Sequence, residues 1–294
     1  MIDTHCHLNF RAFKDEAPAA VARAQAAGVS SILNVGSQWD TSERAVAMAE
    51  GDHRLFAAIG LHPIHLYQQE VDEEETHFVT RAEEFDPVRY HELARRSKRV
   101  VAVGECGLDY YRLPPGADSA EVKRRQAELF NAQIDLATDL NLPLIIHCRS
   151  GQTERTSPQH EAGREAYDDL FTILQRAVTA GKLPKRGVNH CFLGTLEQAR
   201  QFLDLGFYIS FTGIITFKNA APELLAVVRE APLNKILTET DAPYLAPHPH
   251  RGQRNEPAYV VETAKKIAEL KRLSLEEVSM ATSHNAQALF GLNQ

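Results

Sequence analysis

The feature that most constrains this chain is an alternation. Short apolar, β-branched runs are followed eight times by longer segments of helical character. The candidate strands are Ile2–Leu8, Ser31–Ser37, Leu55–His62, Arg99–Leu108, Leu144–Arg149, Gly187–Phe192, Phe207–Thr212 and Lys235–Asp241. Helical stretches fall between them at Ala17–Ala27, Ser42–Glu50, Ala120–Leu140, Tyr167–Ala180, Leu196–Leu205 and Pro222–Glu230. Pro257–Leu270 and Leu275–Phe290 supply the last helices. Eight strand–helix units read as a parallel sheet closed into an α/β (β/α)8 TIM barrel. With 294 residues, one barrel domain spanning 1–294 is the expected organisation.

Composition narrows the function. The formal net charge is −7, which argues against a module that holds nucleic acid by a strong positive field. It leaves room for an enzyme that meets phosphate only at a local site. No apolar run approaches the ~20 residues of a membrane span. The start, MIDTHCHLNF, lacks the basic and apolar regions of a secretory signal. The four cysteines have no CxxC spacing, so a reducing cytoplasm is the expected compartment, with no membrane association and no stable protein partner.

The chemistry sits at the strand ends. His5 and His7 lie two apart on the first strand and share a face. Glu105 ends the fourth strand, His147 the fifth, His190 the sixth and Asp241 the eighth. A barrel gathers its C-terminal strand ends at one mouth, so four imidazoles and two carboxylates are expected to converge there. Burying them together without cations is costly. Six ligands exceed one tetrahedral ion, so two divalent ions with Glu105 as the bridge are expected. The histidine content favours Zn²⁺ or Mn²⁺ over Mg²⁺. Cys6, Cys106, Cys148 and Cys191 each follow a candidate ligand and are expected to face the helix layer as small buried apolar groups.

Seven segments carry a resemblance in order along the chain. They are DTHCHL at 3–8, GLHP at 60–63, GECGLDYYR at 104–112, PLIIHCR at 143–149, NHCFLG at 189–194, ETDAPYLAP at 239–247 and RGQRNEP at 251–257. Together they resemble the TatD-family metal-dependent deoxyribonucleases, a branch of the amidohydrolase superfamily. The resemblance implies a two-metal barrel. His5, His7 and Asp241 would take one ion, His147 and His190 the other, and Glu105 would bridge. It also implies hydrolysis of DNA phosphodiester bonds with Mg²⁺ or Mn²⁺, in some members as a 3′→5′ exonuclease on single strands. Asp241 is the expected general base and Glu105 sets the metal separation.

Other residues are candidates for substrate contact. Arg149, on the face of His147, would clamp a phosphate bidentately, or bind a neighbouring loop. His62 would touch substrate or support a ligand. Arg254 would help hold phosphate, while Asn255-Glu256-Pro257 reads equally as a helix cap. Tyr110 and Tyr111 either stack on bases or pack. Asp3 belongs to the barrel floor or supports a ligand; His65, His248 and His250 are not expected to ligate. Two stretches, Gln68–Asp86 and Ser150–Glu165, are read as inserted surface loops or solvated helix bordering the mouth. Rival readings are an amidohydrolase acting on another ester or amide, such as a deacylase of aminoacyl-tRNA, and a non-catalytic barrel. Arg112, Arg149, Lys218 and Arg254 favour phosphate, and the full set of six ligands favours an enzyme.

Overall fold

A computed structural model describes residues 1–73, 76–151 and 165–292. Its main sheet has eight parallel strands: β1 (Ile2–Cys6), β2 (Ser31–Val35), β3 (Leu55–Ile59), β4 (Val100–Asp109), β5 (Leu144–Arg149), β6 (Gly187–Asn189), β7 (Tyr208–Phe211) and β8 (Ile236–Thr238), paired in chain order. The helices are α1 (Ala17–Ala26), α2 (Trp39–Gly51), α3 (Pro87–Arg96), α4 (Ser119–Leu140), α5 (Glu165–Thr179), α6 (Leu196–Asp204), α7 (Pro222–Glu230), α8 (Val260–Lys271) and α9 (Leu275–Phe290). The expected TIM barrel is therefore the observed one.

Alternation along each strand divides the apolar residues into two layers. Leu33, Val35, Phe56, Ala58, Ile145, Val188 and Leu237 point into the barrel, where Ala286, Leu289 and Phe290 of α9 join them. Ile32, Ala57, Ile59, Leu144, Ile146, Ile209 and Ile236 point outward and pack with the helices. Cys6, Cys106 and Cys148 belong to this outer layer, as expected.

The barrel closes through side chains as much as through a ladder. Beyond the end of β8, Ala242 forms an isolated bridge with Cys6 of β1. Next to it the His7 amide donates to Ala242 O at 2.7 Å and the Asp241 amide to His5 O at 2.8 Å. Below, the Thr4 hydroxyl donates to Thr238 O at 3.1 Å. The buried Asp3 carboxylate receives the Thr240 hydroxyl at 2.6 Å and the Thr240 amide at 2.9 Å. Asp3 is thus the clasp of the seam.

Several boundaries differ from expectation. β1, β3, β6 and β8 stop short, so His7, His62, His190 and Asp241 stand in the loops just beyond the strands. Asp241 and Cys191 adopt left-handed φ of 57° and 45°, which ends the extended run at each place. As a result Cys191 does not follow the other cysteines into the helix layer; its Sγ lies 3.4 Å from the Thr212 hydroxyl. The stretch Gln68–Asp86 is neither helix nor plain loop. It holds an antiparallel hairpin, Glu70–Glu73 with Thr76–Val79, because Val71 is buried and Thr80 ties the hairpin base to Gln69. Helix α3 was not expected: it has few apolar residues, but Asp86 caps it by accepting from the Val88 and Arg89 amides, and Pro87 fits its first turn. Of the stretch Ser150–Glu165, residues 152–164 lie outside the described residues.

Candidate metal centre

The loops and strand ends at the mouth bring His5, His7, His62, Glu105, His147, His190 and Asp241 together. Glu105 is at the centre and is buried. It reaches that place because β4 runs tight against β5. A Cβ at Gly104 would lie 2.6 Å from Ile145 O, and one at Gly107 would lie 2.0 Å from His147 O. Both glycines have positive φ, 156° and 139°, so the GECG motif is a requirement of close approach.

The two carboxylate oxygens of Glu105 face different histidines. Oε2 lies 3.5 Å from His5 Nε2 and 3.6 Å from His7 Nε2. Oε1 lies 3.0 Å from His147 Nδ1, 2.9 Å from His190 Nε2 and 3.4 Å from His62 Nε2. Asp241 Oδ1 completes the first group, 3.7 Å from His5 Nε2 and 3.4 Å from His7 Nε2. The two ring nitrogens of that group are 3.2 Å apart.

These separations test whether a cation fits. Bonds of roughly 2.0–2.2 Å to a tetrahedral ion imply ligand–ligand edges of about 3.3–3.6 Å. The five distances that join His5 and His7 to each other, to Glu105 Oε2 and to Asp241 Oδ1 span 3.2 to 3.7 Å. Hydrogen bonding agrees. His7 Nδ1 faces Val35 O at 2.9 Å; a carbonyl only accepts, so Nδ1 carries the proton and Nε2 offers its lone pair inward. His147 Nε2 faces Asp109 Oδ2 at 3.1 Å, which leaves Nδ1 for the centre. The donor set, imidazoles with carboxylates, could hold a divalent metal ion. Three trios, His5–His7–Asp241, His62–Glu105–His147 and His5–His190–Glu239, have ligand atoms within 4.8 Å of one another.

His62 is built in the opposite sense. The Ile64 amide donates to its Nδ1 at 3.2 Å, so Nε2 carries the proton and points an N–H at Glu105 Oε1. That tautomer donates a hydrogen bond and cannot ligate through Nε2. Its pKa is well below the ordinary value because burial disfavours the charged ring and His147 repels it. For Glu105 burial opposes ionisation, but His62 and His190 outweigh it and hold the carboxyl well below the usual range. Asp241 is lowered in the same way, against burial, by His7, His5 and His190.

Two supporting carboxylates had no role in the sequence analysis. Asp109 holds His147 and is itself fixed by the Tyr111 and Arg112 amides at 2.9 and 2.8 Å. Glu239 is fully buried below the histidines, receives the Cys191 amide and the Ser210 hydroxyl, each at 2.6 Å, and lies 3.4 Å from His190 Nδ1. Alternation offered a signal for Asp109, four residues past Glu105 on the same face of β4, but none for Glu239, which lies just beyond the end of β8.

The substrate candidates divide. Arg149 ends β5, half-buried, with its guanidinium 3.9 Å from the centre of the Tyr111 ring. Arg254 is directed elsewhere: it bonds Glu16 Oε2 at 2.6 Å and Ala12 O, and covers the Phe13 ring, so it braces the loop after β1. Asn255 does not cap a helix. Its amide donates to Thr240 O at 2.8 Å and Tyr244 O at 2.6 Å, latching the loop that carries Asp241. Tyr110 packs, with its hydroxyl on Asp169 at 2.8 Å. His250 stacks on Tyr259, remote from the cluster in its contacts. His65 is buried beside His62, and burial lowers its pKa to about 4.

A parallel barrel with a carboxylate-centred histidine cluster at the C-terminal mouth defines a metal-dependent hydrolase. The chain belongs to the TatD-related DNase family, whose model matches residues 2–291. It is 38% identical over 293 residues to the metal-dependent hydrolase YabD of Bacillus subtilis, covering 100% of both chains. It is 34% identical over 296 residues to the metal-dependent hydrolase TatD of Mycobacterium tuberculosis, covering 99% of this chain and 98% of the other. Among solved structures, YjjV from Escherichia coli K12, a TatD homologue, superposes with a TM-score of 0.79 at 32% identity, over 99% of this chain and 98% of that one. Among the described residues no helix is long and apolar enough to cross a membrane.

Proposed function

We propose that the protein is a two-metal deoxyribonuclease that hydrolyses phosphodiester bonds of single-stranded DNA, acting as a 3′→5′ exonuclease. The observation that carries this reading is the division of Glu105, one oxygen towards His5 and His7 and the other towards His147 and His190. His5, His7 and Asp241 would hold one ion, His147 and His190 the other, and Glu105 would bridge. Divalent ions held there supply acidity to water and charge neutralisation to a phosphodiester.

The protein's own groups do the rest. Asp241 Oδ1 faces the two histidines, and its second oxygen receives the proton of the attacking water. His62 points its Nε2 proton at Glu105 Oε1 and so orients the bridging carboxylate beside the substrate. Arg149, held against Tyr111, clamps the substrate phosphate. Arg254 positions the loop after β1 rather than the substrate.

The test is cleavage of end-labelled single-stranded DNA with Mn²⁺, Mg²⁺ or EDTA, beside Glu105→Ala. Metal-dependent cleavage that falls by at least ~10³-fold in the variant supports the reading, and the ladder of fragments reports its direction. The second reading is hydrolysis of another ester or amide, such as an aminoacyl-tRNA ester. The net charge of −7 favours, within this reading, a small ester or amide, since the whole-protein field attracts neither DNA nor tRNA. Metal-loaded protein that leaves DNA intact and deacylates charged tRNA would select it.

A further inference from the structure

A cleft of about 300 Å³ opens between the loops that follow β6 and β7. Leu193, Ile214 and Phe217 form its apolar walls, and Asn219 and Glu223 bring an amide and a carboxylate to it. Leu193 is 47% exposed there, while its amide donates to the Tyr167 hydroxyl at 2.9 Å and so holds the loop in place. The Phe217 ring is braced by the Arg251 guanidinium, 4.1 Å from its centre.

The cleft adjoins the metal centre through both of its loops. Leu193 follows His190 by three residues, a reach of at most about 11 Å. On the other side, Gly213 precedes Ile214 and is pressed against the loop beyond Asp241: a Cβ there would meet Leu245 O at 2.4 Å. The cleft is therefore within reach of the part of a substrate that neighbours a reacting bond at the cluster.

Charge says which part. Among the described residues that line the cleft the one charged group is the Glu223 carboxylate, and the nearby Arg251 guanidinium is held against the Phe217 ring and Ala246 O, so the walls favour a neutral group bearing donors over a phosphate. A flat apolar group with hydrogen-bond donors on its edge suits the cleft: a ring to lie on Phe217 and an amine to meet Glu223. We propose that this cleft is a nucleobase subsite next to the scissile bond, and that Glu223 gives it a preference for bases bearing an exocyclic amine. The proposal rests on the phosphodiester reading of the metal centre.

Deoxycytidine and deoxyuridine strands make the clean comparison, because the two bases differ chiefly in offering an amine or a carbonyl at the same ring position. With the Mn²⁺-loaded protein, kcat/KM for the cytosine strand should exceed that for the uracil strand by roughly five- to a hundred-fold, the discrimination a specific edge contact gives. Glu223→Gln should bring that ratio close to one. Phe217→Ala should reduce the advantage of a base-bearing strand over one with an abasic residue at the same position. Each readout is a ratio on one preparation, so a poorly folded variant lowers both rates and leaves the ratio unmoved. DNA cleaved with no base preference, or with one that both variants retain, overturns the subsite and leaves the nuclease standing. No metal-dependent cleavage of either strand overturns the nuclease reading and the subsite with it.

Discussion

Asp109 illustrates how much of a metal site resides in groups that never touch the metal. Its Oδ1 is fixed by two backbone amides, so Oδ2 is presented to His147 Nε2 in one orientation. A carboxylate there accepts the imidazole proton and leaves Nδ1 to face Glu105. In Asp109→Asn the backbone amides retain their acceptor, and an NH₂ replaces Oδ2. That donor calls for the opposite tautomer of His147. The expected result is metal binding weakened by about 10- to 100-fold with the fold intact, read by competition with a chromogenic chelator. An unchanged affinity would mean that His147 is oriented by its surroundings without Asp109. The six candidate ligands were legible because strand ends of a barrel must meet at one mouth. Asp109 and Glu239 were not: alternation tells which face Asp109 takes but not which histidine, from another strand, lies opposite it, and Glu239 lies just beyond the end of β8.

At the scale of the element, the approach of β4 to β5 has the clearest consequence. Gly107→Ala would place a methyl 2.0 Å from His147 O, on a backbone with φ of 139°. Neither contact nor dihedral can relax without moving Glu105 or His147, so a loss above ~3 kcal/mol is expected in the denaturant midpoint. A variant with wild-type stability would show that the two strands can separate. The turn from α2 into β3 gives a milder case. Asp52 receives Arg54 through two nitrogens at 2.8 and 2.6 Å, and these bonds hold its carboxyl below the ordinary 3.8, against a smaller opposing effect of burial. A depressed acid stabilises the folded chain above its unfolded pKa, and that share is lost as pH falls through the folded value. Asp52→Asn should therefore cost up to about 1 kcal/mol at pH 7, with the difference from wild type shrinking as the pH falls below 3.8 and through the lowered folded value. A difference independent of pH would refute the ion pair as its cause. Element boundaries were the least legible part of the sequence. β8 was expected to run to Asp241, and nothing in Thr238-Glu239-Thr240-Asp241 announces the left-handed turn. The hairpin at Glu70–Glu73 and Thr76–Val79 was hidden because its acidic run outweighs its single strand-like pattern, Val71 against Phe78.

For the whole molecule, the candidate ligands come from the ends of five strands, so two bound ions, each tying three segments and sharing Glu105 of β4, would join all five. Ligand that binds only the folded chain stabilises it by about 2.7 kcal/mol at a hundred times Kd. Titration with Mn²⁺ should raise Tm by several degrees, EDTA should reverse the rise, and Glu105→Gln should show little of it. A Tm indifferent to metal in the wild-type protein would count against a cation at this cluster.

The seam held by Asp3 and Thr240 gives the order in which competence arrives. His5 and His7 precede every other residue of the set in the chain, and Asp241 follows them all. They meet only when β8 docks against β1. A growing chain can carry every histidine of the candidate centre and still lack Asp241, so the cluster is assembled only once the clasp is shut.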